Sequence, residues 1–286
     1  MALNMRHLFP LQQKFTMTKM KTYKSALLGV SASLVISVNT MFGGAVVAGF
    51  DATALAANDD GSTGLVGFGL GPLNFFGTDY TGAYLNNNGN MTFGSALSTF
   101  TPFGITGGSL AMIAPFFADV DTRGGLPLMK YGNGTFEGHA AFGQTWRDVG
   151  FYYANGALRN TFQTLLVDRS DIAAKDFDIY FNYDTIKWET GDASGGSAGL
   201  GGSSARAGYT NGLGSFYELP GSGVNGAFLD GGVNALNTHS LNRTEAGRYL
   251  FMVRSGVVHG APDGGSVIAL LGLALAALGA AKRKLG

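Results

Sequence analysis

Apolar and aromatic residues in the middle of this chain come in short runs, several alternating with polar residues, and the runs are separated by Gly, Asn and Asp. A side chain on one face at every second position is the period of a strand, whereas the 3.6-residue period of an amphipathic helix shows in few windows. Within residues 177–183, Phe177, Ile179, Phe181 and Tyr183 alternate with Asp178, Tyr180 and Asn182, which predicts a strand with one buried face. Tyr84-Leu85 leads through Asn86-Asn87-Asn88-Gly89-Asn90 to Met91-Thr92-Phe93, a hairpin whose Asn and Gly residues accept the positive φ of a tight turn. Residues 160–168, 205–209 and 248–253 read as further strands, and Lys187-Trp188-Glu189 as a continuation of the pairing begun at 177–183. Residues 110–118 read as a buried strand broken by Pro115, which donates no ladder hydrogen bond and so predicts an edge or a bulge. The expectation is an all-β, antiparallel, sandwich-like domain with Gly-rich loops.

Composition excludes several classes. There are 46 Gly in 286 residues, about twice the usual share, but without the three-residue period of collagen. Zero Cys removes disulfide scaffolds, a Cys nucleophile and thiolate metal sites. With 21 Phe and 11 Tyr the chain has ample core-forming side chains. The Gly191–Ser204 stretch reads as a flexible Gly/Ser loop, since it lacks the following helix and Lys of a phosphate-binding loop.

The two ends read as addresses. Residues 1–56 hold Arg6, Lys14, Lys19, Lys21 and Lys24, an apolar run over 26–36 and a small-residue stretch ending at Ala56-Ala57. That is the layout of a signal peptide cut by signal peptidase after Ala56, with Val46-Val47-Ala48 an earlier candidate, and it starts the mature domain, 57–260, at Ala57. At the other end, Pro262-Asp263-Gly264-Gly265 precedes an apolar run over 267–281 and the basic cluster Lys282-Arg283-Lys284. At about 1.5 Å per residue such a helix reaches about 22 Å, short of a ~30 Å hydrocarbon core. It suits transient anchoring in the inner membrane with the basic stop on the cytoplasmic side. Setting both ends aside leaves 11 basic and 17 acidic residues, a body of about −6, which argues against nucleic-acid binding.

The tail, 261–286, resembles the PEP-CTERM class of bacterial sorting signals in its VPDSG-type variant, with Ala261 and Gly264 departing from the usual Val and Ser. The resemblance implies processing by an exosortase-type membrane protease and release to the cell surface or extracellular matrix. The body resembles a NIDO domain, the nidogen-type module of matrix and adhesion proteins. The residues carrying the likeness are Leu73–Gly77, Leu85 to Phe93-Gly94, Ile113-Ala114-Pro115-Phe116-Phe117-Ala118-Asp119-Val120-Asp121-Thr122-Arg123, Asn160-Thr161-Phe162-Gln163, Phe181-Asn182-Tyr183 with Ile186-Lys187-Trp188, Ala207-Gly208-Tyr209 and Gly247-Arg248-Tyr249-Leu250-Phe251. The family's Cys residues are missing and the Trp146 segment matches loosely.

Candidate chemistry is sparse. Asp119 and Asp121 follow a buried strand and offer oxygen ligands to a hard cation such as Ca2+, or act structurally by capping a turn or pairing with Arg123 or Arg147. Asn58-Asp59-Asp60-Gly61-Ser62 offers further acidic ligands or a frayed terminus. His139, His239 and His259 stand in no catalytic motif. The expected role is a non-enzymatic exported surface or biofilm-matrix protein, adhesive or structural, without a required cofactor, meeting a matrix polysaccharide or a surface protein. The alternatives are a secreted carbohydrate- or Ca2+-binding module, with aromatics such as Phe75, Phe116, Tyr153, Tyr180 and Trp188 as sugar platforms, and a polysaccharide hydrolase. The hydrolase would pair Asp119 or Asp121 with Glu189 or Glu218 across a groove.

Overall fold

The alternation in the sequence becomes pleated sheet. The structure, a computed structural model, describes residues 44–260. The basic and apolar parts of the expected leader, the Pro262-Asp263-Gly264-Gly265 motif and the Lys282-Arg283-Lys284 end lie outside the described residues. In chain order the strands are β1 (Thr53–Ala54), β2 (Ser62–Gly67), β3 (Leu73–Phe75), β4 (Thr78–Tyr80), β5 (Gly82–Asn86), β6 (Asn90–Thr92), β7 (Met112–Phe117) and β8 (Val120–Asp121). They continue with β9 (Met129–Phe136), β10 (His139–Phe151), β11 (Asn155–Asp168), β12 (Phe177–Thr185), β13 (Arg206–Thr210), β14 (Phe216–Glu218), β15 (Arg248–Arg254) and β16 (Val257–His259). No helix among the described residues is long and apolar enough to cross a membrane.

One antiparallel sheet runs β1-β9-β10-β11-β12-β15-β16, with β8 paired to the end of β10; a second runs β14-β13-β7-β6-β5-β2, and β3 and β4 form a separate hairpin. The two large sheets face each other across an aromatic core. Phe116 of β7 meets Phe162 of β11 at 5.1 Å between ring centroids, and Tyr209 of β13 meets Phe251 of β15 at 5.4 Å. Trp146 stacks on Phe162 at 4.8 Å. Each such ring withdraws from water at a gain of about 1.5–3 kcal/mol, and the offset and edge-on geometries add roughly 0.5–1.5 kcal/mol.

Pro115 lies at a bulge rather than at an edge. Between β13 and β7 the register steps from Arg206↔Phe117 to Gly208↔Ala114, so the extra residue and the missing N–H fall together in an interior strand. Lys187-Trp188-Glu189 does not extend β12, contrary to the sequence reading. The Asn160 side chain replaces a strand there: its Oδ1 accepts from the N–H groups of Lys187 and Trp188, and its Nδ2 donates to the Trp188 carbonyl. Gly191–Ser204 folds back on itself, with Ser194 and Gly196 N–H donating to the Gly191 carbonyl and Ser203 N–H to the Ser194 carbonyl.

The outer face of β12 is also buried, which the alternation did not anticipate. A strap formed by residues 45–54 crosses that face. Arg248 at the start of β15 donates to the Ala45 carbonyl, Val46 N–H donates to Asp184, and Val47 exchanges hydrogen bonds with the Gln163 amide of β11. Phe50, 1% exposed, then drops into a groove whose floor is Gly134 and Gly143, and Thr53–Ala54 pairs with β9. Phe50, Leu165, Tyr180 and Leu250 form a second apolar cluster under the strap. The chain is thus packed against the larger sheet from Ala45 onward. The boundary read at Ala56-Ala57 would cut away β1 and Phe50, and the Val46-Val47-Ala48 candidate falls within the strap.

Candidate functional site

The chain switches sheets at Ala118 and Asp119. β7 ends in one sheet and β8 begins in the other, pairing Val120 with Phe151 and Asp121 with Gly150. The Asn87-Asn88-Gly89 turn supports this corner from below. Ala118 N–H donates to the Asn88 carbonyl at 3.3 Å, Val120 N–H to Asn88 Oδ1 at 3.0 Å, and Asn87 Nδ2 to the Val120 carbonyl at 2.6 Å. The Trp146 indole N–H donates to the Asn87 carbonyl at 2.8 Å. Gly89 has φ +74°, and a Cβ there would collide with the Phe116 carbonyl, so the turn requires glycine.

The segment 58–61 closes the corner from the other side. Asn58 N–H donates to Thr122 Oγ1, Thr122 N–H donates to the Asn58 carbonyl, and Asn87 donates to the carbonyls of Gly61 (main chain) and Asp59 (side chain). It is held in place, not frayed, and it carries Asp59 and Asp60 to Asp119. One carboxylate oxygen of each lies within 4.8 Å of the others.

Asp119 is 1% exposed, and neither of its carboxylate oxygens has a hydrogen-bond partner. The Ser194 hydroxyl, close enough to lower its pKa slightly, is shared with Thr101 and the Phe100 carbonyl. The Gly191 backbone lies so close that a Cβ would overlap the carboxylate. Burial, followed by the charges of Asp59, Asp60 and Asp121, pushes the Asp119 carboxyl up to about 7. Burial, then Asp121 and Asp60, push Asp59 up to about 6 against the pull of Arg123.

Asp121 belongs to a different arrangement. It is fully buried and accepts from the Arg123 guanidinium at 2.6 Å, the Arg123 N–H at 2.9 Å and the Ala154 N–H at 2.7 Å. Burial alone would raise its carboxyl, but these bonds hold it below the ordinary carboxylate value. Of the expected pair, Asp119 stands in the acidic cluster and Asp121 anchors Arg123, which reaches on to Asp59 at 2.9 Å. Joining Asp119 to Asp59 and Asp60 across about 60 positions needed the fold; the Asn-rich turn that aligns them read only as a hairpin.

The other candidate carboxylates are committed elsewhere. Glu189 accepts the N–H groups of Gly226 and Phe228 at 2.6 Å, and Glu218 accepts from Arg206 and the Ile105 N–H. Phe75, Phe116, Tyr180 and Trp188 are core, whereas Tyr153 is 72% exposed beside Arg123. His139 lies 3.8 Å from Asp171, and His239 Nδ1 contacts the Ala235 carbonyl.

The family model of the nidogen-like domain matches residues 81–255, a span that includes the Asn turn, β7 and β8 at the corner and most strands of both sheets, but not β1, β2 or β16. The chain belongs to the nidogen-like domain family. Alpha-tectorin of Mus musculus is 38% identical over 190 residues, covering 57% of this chain and 8% of that protein. Alpha-tectorin of Gallus gallus is 36% identical over 190 residues, and the nidogen of Drosophila melanogaster 30% over 189, with 57% of this chain covered in each and 9% and 14% of those proteins. The chain thus spans less than a sixth of the length of these curated relatives. The VPDSG-CTERM motif matches residues 262–285, directly after the nidogen-like domain. No solved structure matches. A nidogen-like domain followed by a sorting motif is the build of an exported, extracellular protein.

Proposed function

We infer that this chain is a surface or matrix protein with an adhesive or structural role, and that its tail is the substrate of an exosortase-type protease. The observation that carries the reading is the order of parts: the last strand among the described residues, Val257–His259, is followed at once by the VPDSG-CTERM match at 262–285. Pro and Gly in Pro262-Asp263-Gly264-Gly265 are poor helix formers, a composition that suits a protease recognition segment. In this reading the apolar run holds the chain in the inner membrane until the cut, with Lys282-Arg283-Lys284 as its stop. Signal peptidase acts upstream of Gly44, so that the strap stays with the domain. The surroundings it then meets are a matrix polysaccharide or a surface protein. The commitment of Glu189 and Glu218 to backbone and Arg partners supports a non-enzymatic role.

The intact mass of the protein recovered from the envelope and medium of its native host tests this. The expected product lacks the apolar tail and starts no later than Gly44. A product that retains 267–286 overturns the processing, and one that starts at Ala57 overturns the retention of the strap.

A further inference from the structure

Buried carboxylate oxygens without proton donors are costly unless something else balances their charge. Three meet at the sheet-switching corner: both oxygens of Asp119 and Oδ1 of Asp59. Asp59 Oδ2 is held by Arg123 at 2.9 Å, and Asp60 Oδ1 accepts from Asn88 Nδ2 at 2.9 Å, so neighbours already fix two carboxylates around the third. Three negative charges thus converge where Arg123, itself shared with Asp121, is the cation bound to the group.

We propose that Asp59, Asp60 and Asp119 together bind one calcium ion. Calcium–oxygen bonds of about 2.3–2.6 Å place any two ligands of one ion no more than about 5 Å apart. The three carboxylate oxygens satisfy that limit, all lying within 4.8 Å of one another. The donor set is oxygen only, with no His or Cys in it, which disfavours zinc. Calcium tolerates irregular coordination and mixed protein and water ligands, whereas magnesium requires a near-ideal octahedron. The ion would join the 58–61 segment to the corner between β7 and β8 and neutralise the charge that the Asn87-Asn88-Gly89 turn draws together. The proposal is independent of the tail and holds whether or not the tail is cut.

The test uses the full chain in mild detergent, stripped with EDTA and titrated with calcium chloride at constant ionic strength. Thermal unfolding is expected to rise by roughly 5–10 °C at saturating calcium. Terbium emission sensitised by Tyr152 and Tyr153 is expected to appear on adding terbium and to be displaced by calcium. Asp119→Asn keeps the shape and removes the charge. It should unfold at a higher temperature than the wild type in EDTA and lose both responses to metal. Asp79→Asn, at a surface pair with Lys175, should keep both. No calcium-dependent shift in the wild type, or a shift that survives Asp119→Asn, overturns the proposal. An equal response to magnesium overturns the assignment to calcium.

Discussion

Asp119 and Asp121 stand two positions apart in opposite surroundings: Asp121 accepts hydrogen bonds from Arg123 and Ala154, and Asp119 accepts none that meets hydrogen-bond geometry. Replacing Asp121 leaves the Ala154 N–H without its acceptor and frees a guanidinium that is 42% exposed and so partly recoverable by water. Asp121→Ala is expected to cost roughly 2–4 kcal/mol, read as a lowered urea midpoint with unchanged m-value. A cost below about 0.5 kcal/mol would mean that Arg123 does not depend on it.

Gly89 gives a sharper outcome. Its φ of +74° and the adjacent Phe116 carbonyl leave no room for a methyl group, and the obstacle is backbone. Gly89→Ala should lose at least about 3 kcal/mol, whereas alanine at Gly94, which has open space around it, should lose only the strain of its positive φ, about 1 kcal/mol. Equal losses at the two sites would show that the Asn turn is not packed against β7 as described.

The strap is tested at Phe50. Removing a ring buried to 1% in a glycine-floored groove should cost roughly 3–5 kcal/mol, measured by denaturant unfolding of Phe50→Ala. A neutral result would return the start of the domain to Ala57.

Asp184 sets a pH dependence. Burial raises its carboxyl above 3.8, opposed by the Val46 N–H and by Arg147 and Arg248 and aided by Glu245. A carboxyl that holds its proton more tightly folded than unfolded makes stability fall as pH rises from 3.8 through its folded value. Asp184→Asn keeps an acceptor for Val46 without the charge. Its stability relative to the wild type should therefore improve as pH rises from 3.8 through the folded value of Asp184. A difference that stays flat across that interval contradicts the shift.

The strands were legible because a two-residue period survives in single segments such as 177–183, where the alternating residues do face the core. Pro115 was legible as an edge or a bulge because a missing N–H restricts any strand, and only the pairing of β7 on both sides decided for the bulge. What stayed hidden depended on distant partners. Nothing local in Lys187-Trp188-Glu189 shows that Asn160 will supply its hydrogen bonds. The strap read as the end of a leader because Ala, Val and Gly serve signal cleavage and close packing equally well. The acidic cluster was visible only as two unrelated acidic stretches, at 59–60 and at 119.

The start of the strap and the last strand among the described residues meet at the same end of the larger sheet: Ala45 is bonded to Arg248 of β15, and β16 lies beside β15. Under tension the two attachments behave differently. A pull on the carboxyl end meets β16 first, and its three register pairs with β15 can open one after another like a zip. A pull on the amino end runs along the strap, through the bonds of Ala45, Val46 and Val47 to Arg248, Asp184 and Gln163, before it reaches Phe50 in its groove. The two ends of the described fold are therefore fastened by different means, a hydrogen-bonded strand at the tail and a buried ring at the head.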